Sequence, residues 1–293
     1  MIGTEVANRH RERGDEVVIL TRRARAPDHL QWDPRKGSTE RKRFDGCGVL
    51  YNFAGAPIAD RPWTKARREE LWASRVDFTR ALLDSFAGVD SPPPVYVGAG
   101  GLGRFGDCGD RYIDDDDPPG DGFLAELSMA WEEQHLLARE VIGARACVSR
   151  MGMVLSGTGG ALPLMVKPYR LGLGGWLGNG KQYTSWISVR DAVSVFVFLA
   201  DNESCEGAFN GTVPEPIRNK EWCKALGRAL HRPVLTHAPK WVLRGALGEF
   251  ADSLLLASVR AVPRKLTERG FTFEDVDAQT TFESLIAAVE EAR

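Results

Sequence analysis

A chain of 293 residues with 38 Lys+Arg against 40 Asp+Glu carries a formal charge of −2, and 43% of it is apolar. That balance suits a soluble α/β fold and gives no electrostatic case for nucleic acid, because no domain-scale basic excess exists. Five scattered cysteines without a C-x-x-C pair and five histidines without H-x-x-x-H spacing exclude a disulfide framework and a zinc site, and fit a reducing cytoplasm.

Taken in chain order, Glu5 to Arg13 is polar and helix-favouring and stops at Gly14. Glu16 to Thr21 is a short β-branched run of the kind found in buried parallel strands. Basic sequence containing Pro and Gly follows to Lys42, and Gly48 to Ala54 is a second strand ending at Gly55. Thr64 to Phe86 is predicted as one long helix, with Leu71, Val76, Leu82, Leu83 and Phe86 at helical spacing. Val95 to Val97 is a third strand that breaks into a glycine-rich loop, Gly98 to Gly109. The acidic run Asp114 to Asp117 reads as a solvated loop. Leu124 to Val141 is helical, and Ala146 to Met151 is strand-like. Beyond Gly152 come a glycine-rich loop from Gly172 to Gly180, an apolar helix from Val189 to Asp201 and another from Asn219 to Leu230. The remainder from Trp241 to Arg293 is mostly helical. Met151 to Val166, the longest nearly charge-free run, is too short and too broken by glycine to span a bilayer, and no secretory signal opens the chain.

Strands alternating with helices predict a doubly wound parallel sheet of the Rossmann type, whose ligands sit beyond the carboxyl ends of the strands. At the first such end stand Thr21 and Arg22. Arginine at that position accommodates the 2′-phosphate of NADP, where an acid would favour NAD; the alternative is a solvated basic turn. The second end is Asn52-Phe-Ala-Gly55, whose small residues permit close backbone approach to a flat cofactor. Gly3 lies 21 − 3 = 18 residues before Thr21, near the offset expected between a dinucleotide fingerprint and its ribose contact. The chain therefore reads as beginning inside the phosphate loop, with the first strand missing. A start codon placed too late and a real truncation are both open.

Several segments together resemble one family: Asn52-Phe-Ala-Gly-Ala-Pro-Ile-Ala-Asp60 with Trp63-Thr64, Ser74-Arg75-Val76, Arg150-Met-Gly-Met-Val-Leu155, Tyr169-Arg-Leu-Gly-Leu-Gly-Gly175 with Gly178-Asn-Gly180, Trp186-Ile187 with Asp191, Ala229 to Pro233, and Pro263 to Phe271. The ordered set is similar to the epimerase-family branch of the extended and atypical short-chain dehydrogenases, relatives of nucleotide-sugar epimerases. The resemblance implies a Rossmann-type domain over residues 1–155, joined again by parts of 185–212, and a smaller substrate domain over 156–293. It implies NADP(H) held by Gly3, Thr21, Arg22, Phe53, Ala54, Glu70, Arg75 and Val154. For Val154 plain core packing stays open, and for Glu70 with Arg75 a pair of surface charges. A small-molecule substrate is expected, and no nucleic acid, membrane or metal.

The same resemblance raises a difficulty. Enzymes of that superfamily use a Tyr and a Lys four residues apart plus a Ser or Thr, the lysine lowering the phenol pKa and the hydroxyl polarising the substrate oxygen. Where the pair should fall, this chain has Phe123-Leu-Ala-Glu-Leu127, and the serine region is Val97-Gly-Ala-Gly-Gly-Leu-Gly-Arg-Phe-Gly106. Substitutes facing the expected cleft are Asp107, Glu126, Arg150, Lys167, Tyr183 and Asp191. Of these, Asp191 reads better as a helix cap or hinge anchor, while Trp131 and Glu132 read as packing and its exposed edge. The catalytic residues stay unassigned, leaving two functional classes: an NADP-dependent oxidoreductase or epimerase, and a non-catalytic dinucleotide-binding sensor or structural protein.

Overall fold

The computed structural model describes residues 1–32 and 44–291. Its elements run α1 (Ile2–Glu12), β1 (Ile19–Thr21), β2 (His29–Gln31), β3 (Val49–Asn52), α2 (Lys65–Trp72), α3 (Phe78–Phe86), β4 (Val95–Gly101), β5 (Tyr112–Ile113), α4 (Phe123–Leu136), α5 (Ala138–Ile142), β6 (Arg145–Met151) and β7 (Met153–Leu155). Then come α6 (Leu162–Arg170), β8 (Gly175–Leu177), β9 (Tyr183–Thr184), β10 (Trp186–Ser188), α7 (Val189–Asp201), β11 (Gly207–Gly211), β12 (Ile217–Arg218) and α8 (Asn219–Ala229). The chain closes with β13 (Thr236–Ala238), α9 (Lys240–Leu247), β14 (Arg260–Ala261), α10 (Arg264–Glu268) and α11 (Ala278–Glu291).

The core is a four-stranded parallel sheet in the order β11-β6-β4-β3. Strand alternation sends neighbouring residues to opposite faces. Tyr96 and Ala146 pack with Leu82, Leu83 and Phe86 of α3 and Ala138 of α5. Val97 and Cys147 instead join Val6 of α1 and Phe196 of α7. Helices thus cover both faces, as a doubly wound fold requires. A second parallel pair, β1 with β2, docks through Leu20 and Leu30 onto the α3 side. Among the described residues β1 and β3 form no ladder with each other, and the chain enters directly on α1. A third apolar cluster joins Leu162 and Tyr169 of α6, Trp222 of α8 and Phe282 of α11.

Four expectations need correction. Thr64 to Phe86 is not one regular helix: Thr64 caps α2 by accepting from the Arg67 N–H at 3.3 Å, and a π-helical turn at Ala73–Asp77 separates α2 from α3. Gly98 to Gly101 is strand rather than loop, because a Cβ on Gly98 would stand 2.4 Å from Nδ1 of His135; glycine is what lets α4 lie against β4. The run Gly172 to Gly180 contains the short strand β8. Within the acidic run, Asp115 is buried and accepts the N–H groups of Asn210 and Lys265, while Asp114 and Asp116 pair with Arg264. Part of the basic segment up to Lys42, and Ala292 with Arg293 at the end of the region expected to be helical, lie outside the described residues.

Candidate functional site

The turn that ends β3 is held by a buried polar chain. Asn52 accepts the Ala54 N–H at 3.0 Å and donates its amide to Thr79 Oγ1 at 3.0 Å and to the Tyr96 hydroxyl at 3.1 Å. Tyr96 meets His135 Nδ1 at 2.7 Å, and His135 Nε2 lies 3.0 Å from the Ala99 carbonyl. A carbonyl only accepts, so Nε2 carries the proton and Nδ1 accepts from Tyr96. Burial pulls the His135 pKa down to about 3, which keeps the ring neutral. The backbone of Phe53 and Ala54 is therefore fixed from α4 across two strands. Sequence reading missed this chain, although three polar residues in apolar strands and a helix were its signal.

Around that turn the structure gathers several of the residues expected to hold a cofactor. The Phe53 ring lies on Gly3, where a Cβ would stand 3.0 Å from it, and meets Phe196 edge-on at 4.7 Å. Val154 is half-buried in the same apolar cluster, so its packing role is real. Arg75 projects from the π-helical turn against Gly55, donates to the Ala56 carbonyl at 3.0 Å and sits 5.0 Å from the Trp131 ring centre. Burial, and then the charge of Arg67, pull its pKa down to about 10. Among the described residues no carboxylate pairs with it. Glu70 turns away to Arg61 at 2.6 Å and Arg67 at 2.8 Å, which hold its carboxyl below the ordinary range, so it does not pair with Arg75. Thr21 ends β1 with its hydroxyl turned to the Arg23 N–H, and Arg22 beside it is exposed.

The corner where proton-transfer groups were sought is arranged differently. A Cβ on Gly103 would stand 2.6 Å from Leu124 Cγ, and one on Gly101 would stand 4.0 Å from Ser128 Oγ. The four-apart pair facing the end of β4 is thus Leu124 and Ser128. Phe123 and Leu127 pack instead beside Trp63. Behind them Arg150 is buried and bidentate on Glu132, at 2.6 and 2.8 Å, with its third arm on the Asp115 carbonyl at 2.6 Å. Arg104 approaches the same carboxylate at 3.4 Å, its pKa lowered by burial. Glu132, expected at an exposed edge, is buried, and Arg150 is consumed by structure.

The other substitutes scatter. Asp107 accepts the N–H groups of Gly109 and Ser258. Glu126 and Lys167 are exposed on α4 and α6. The Tyr183 ring lies between the guanidinium groups of Arg218 and Arg260, at 4.6 and 4.4 Å. Asp191 is buried, its pKa raised by that burial, and accepts the N–H groups of Glu274 and Asp275, while Ser188 caps α7. It is an anchor for the returning chain rather than a cap. No group of His, Cys, Asp and Glu among the described residues has the arrangement to hold a metal ion.

Comparison with known proteins adds a family context to this geometry. The NAD-dependent epimerase/dehydratase family matches residues 1–210, and a domain of unknown function, DUF1731, matches 238–285. An epimerase family protein of Mycobacterium leprae is 35% identical over 274 residues, covering 93% of this chain and 88% of that protein. One from Staphylococcus aureus is 32% identical over 292 residues, covering 98% and 96%. Among solved structures, the human epimerase family protein SDR39U1 (isoform 2) with NADPH superposes with a TM-score of 0.88 at 27% identity, over 98% of this chain and 96% of that one. A nucleoside-diphosphate sugar epimerase from Corynebacterium glutamicum gives 0.79 at 26% identity, over 98% of this chain and 56% of that one.

Proposed function

The chain belongs to the NAD-dependent epimerase/dehydratase family, and from that premise we propose that it binds NADP(H) across the carboxyl ends of β1 and β3. The observation that carries this reading is Arg75: a half-buried guanidinium with no carboxylate partner among the described residues, held against Gly55 just past the end of β3. A buried charge without a counterion is costly, and a phosphate-bearing ligand would relieve it. The fixed Phe53–Ala54 turn precedes Gly55 in the chain, and Gly3 packs against the Phe53 ring. Thr21 and the exposed Arg22 suit a 2′-phosphate, which favours NADP(H) over NAD(H). The human relative solved with NADPH supports the same choice.

When bound, the cofactor would supply or accept a hydride. What the chain offers a substrate beside it is Ser128, Leu124 and an already paired Arg104. None of these exchanges a proton at neutral pH, so proton transfer by a Tyr-Lys pair is not part of the proposal. That favours the second functional class, binding of the dinucleotide without the family's standard chemistry. Titration of tryptophan fluorescence with NADPH and NADH tests the binding. Tight NADPH binding without turnover across carbonyl compounds and sugar nucleotides would support a sensor or structural role, whereas coupled oxidation of NADPH would restore an enzyme. Absence of binding to either dinucleotide would overturn the proposal. We assign the protein to a reducing, cytoplasmic setting because all five cysteines are free thiols, Cys147 lying against the Cys205 carbonyl without bridging to it.

A further inference from the structure

The near-neutral total charge conceals a segregated surface. No Asp or Glu occurs between Glu140 and Asp191, or between Glu221 and Glu249. The fold brings these two acid-free stretches together: β8 and β13 pair in parallel, Gly175 against Thr236 through Leu177 against Ala238. Parallel pairing places the entrances of both strands at one end. Leu173 leads into β8 and Leu235 into β13, and they are 66% and 81% exposed; Leu171, at the end of α6, is 75% exposed. Past the exit of β13, α9 buries no residue and leaves Trp241 77% exposed. On the same elements stand exposed Lys167 on α6, Arg232 ahead of β13 and Lys240 at the start of α9. Ion pairing does not erase the excess: Arg244 has Asp252 and Lys224 has Glu221, while Lys167, Arg232 and Lys240 make no ion pair among the described residues.

We propose that this face, formed by the end of α6, the β8–β13 pair and α9, docks on an anionic phospholipid surface. Aliphatic side chains projecting from the entrance loops, a tryptophan past the exit of the same strand pair and exposed lysine and arginine are the complement of such an interface, where apolar groups enter the acyl boundary and cations meet headgroups. A second copy of the chain fits less well, since a two-fold contact would set these cations against their own copies. Nucleic acid would use the cations and leave the leucines in water.

The test is co-sedimentation of the full chain with phosphatidylcholine vesicles, with and without phosphatidylglycerol, beside size-exclusion measurement of mass. The expected result is sedimentation with the phosphatidylglycerol vesicles only, weakening as salt is raised. Leu173→Ser with Leu235→Ser should reduce the bound fraction by about tenfold, as should Arg232→Glu with Lys240→Glu. Val276→Ser, at an exposed apolar position on the segment ahead of α11, should bind as the parent does. All of these positions are exposed, so the variants should keep the parent's melting temperature. Equal binding to neutral vesicles, or binding untouched by the leucine and cation variants, overturns the proposal. So does a dimer that Leu235→Ser dissociates in a protein that ignores vesicles. NADPH affinity is read separately, so failure here leaves the nucleotide assignment standing.

Discussion

Trp131 and Glu132 are neighbours on α4, and each faces an arginine from elsewhere in the fold. Arg75 lies over the Trp131 ring with no carboxylate partner among the described residues, whereas Arg150 is gripped by Glu132 through Nε and one terminal nitrogen. Arg150 is buried and Arg75 half-buried, yet one has its counterion built in and the other has none among the described residues. A buried pair that is fully satisfied is structure; a buried cation left unmatched is a site whose balance a ligand can complete. The comparison also separates the proposed dinucleotide site from the corner where proton-transfer groups were sought. At the corner beside Glu132, one carboxylate is engaged by two guanidinium groups rather than poised to exchange protons.

The comparison breaks most decisively at Glu132. Glu132→Ala leaves Arg150 buried without its partner and should cost about 3–5 kcal/mol in urea unfolding; a loss below about 1 kcal/mol would mean the corner is wet and adaptable. Arg75→Met should do the reverse, leaving stability unchanged or improved while weakening NADPH by about 1.5–3 kcal/mol, the worth of a charge-assisted hydrogen bond. A variant that loses stability and keeps NADPH would assign Arg75 to packing. His135 sharpens the picture through pH. Its folded pKa of about 3 lies below the ordinary 6.5, so the unfolded chain takes up a proton that the folded one refuses. This contribution is complete above about pH 6.5 and is lost as pH falls, reaching about 2 kcal/mol by about pH 5. His135→Gln should flatten that part of the stability profile, measured by denaturation at each pH. The smallest effect is expected at the exposed rim: Arg22→Ala should weaken NADPH by about 1 kcal/mol and leave NADH unchanged. Equal losses for both would remove the 2′-phosphate assignment.

How much of this was legible depends on the distance over which each signal acts. The helix expected from Val189 to Asp201 is α7 with the same bounds, because an apolar face and a Ser188 cap are local facts. Gly98 to Gly101 looked like a loop because the reason for those glycines sits on α4, where His135 occupies the space a side chain would need. The Arg150–Glu132 pair joins a strand to a helix 18 residues earlier, and no periodicity announces it. Asp115 was hidden for the same reason, its partners lying 95 and 150 residues away. At the corner the sequence reading was one residue out of phase on α4: Phe123 and Leu127 pack beside Trp63, and Leu124 and Ser128 meet Gly103 just past β4 and Gly101 at its end. The strand end holding Phe53 could be read from its own residues, whereas Arg75 came from the resemblance alone, and only coordinates show that it has no carboxylate partner among the described residues.

The separation of β1–β2 from the main sheet has a consequence for motion. That ribbon is held by three hydrogen-bonded register pairs and by Leu20, Leu30 and Trp32 on the α3 side, with no ladder to β3 among the described residues. It is therefore suited to open as a unit of its own, at a free energy well below that of global unfolding. Amides of Ile19 to Thr21 should then exchange with deuterium long before those of β4 and β6. Since Thr21 and Arg22 ride on this ribbon, a nucleotide that grips them would first have to quiet it, and slowed exchange there would register occupancy at the far end of the cleft.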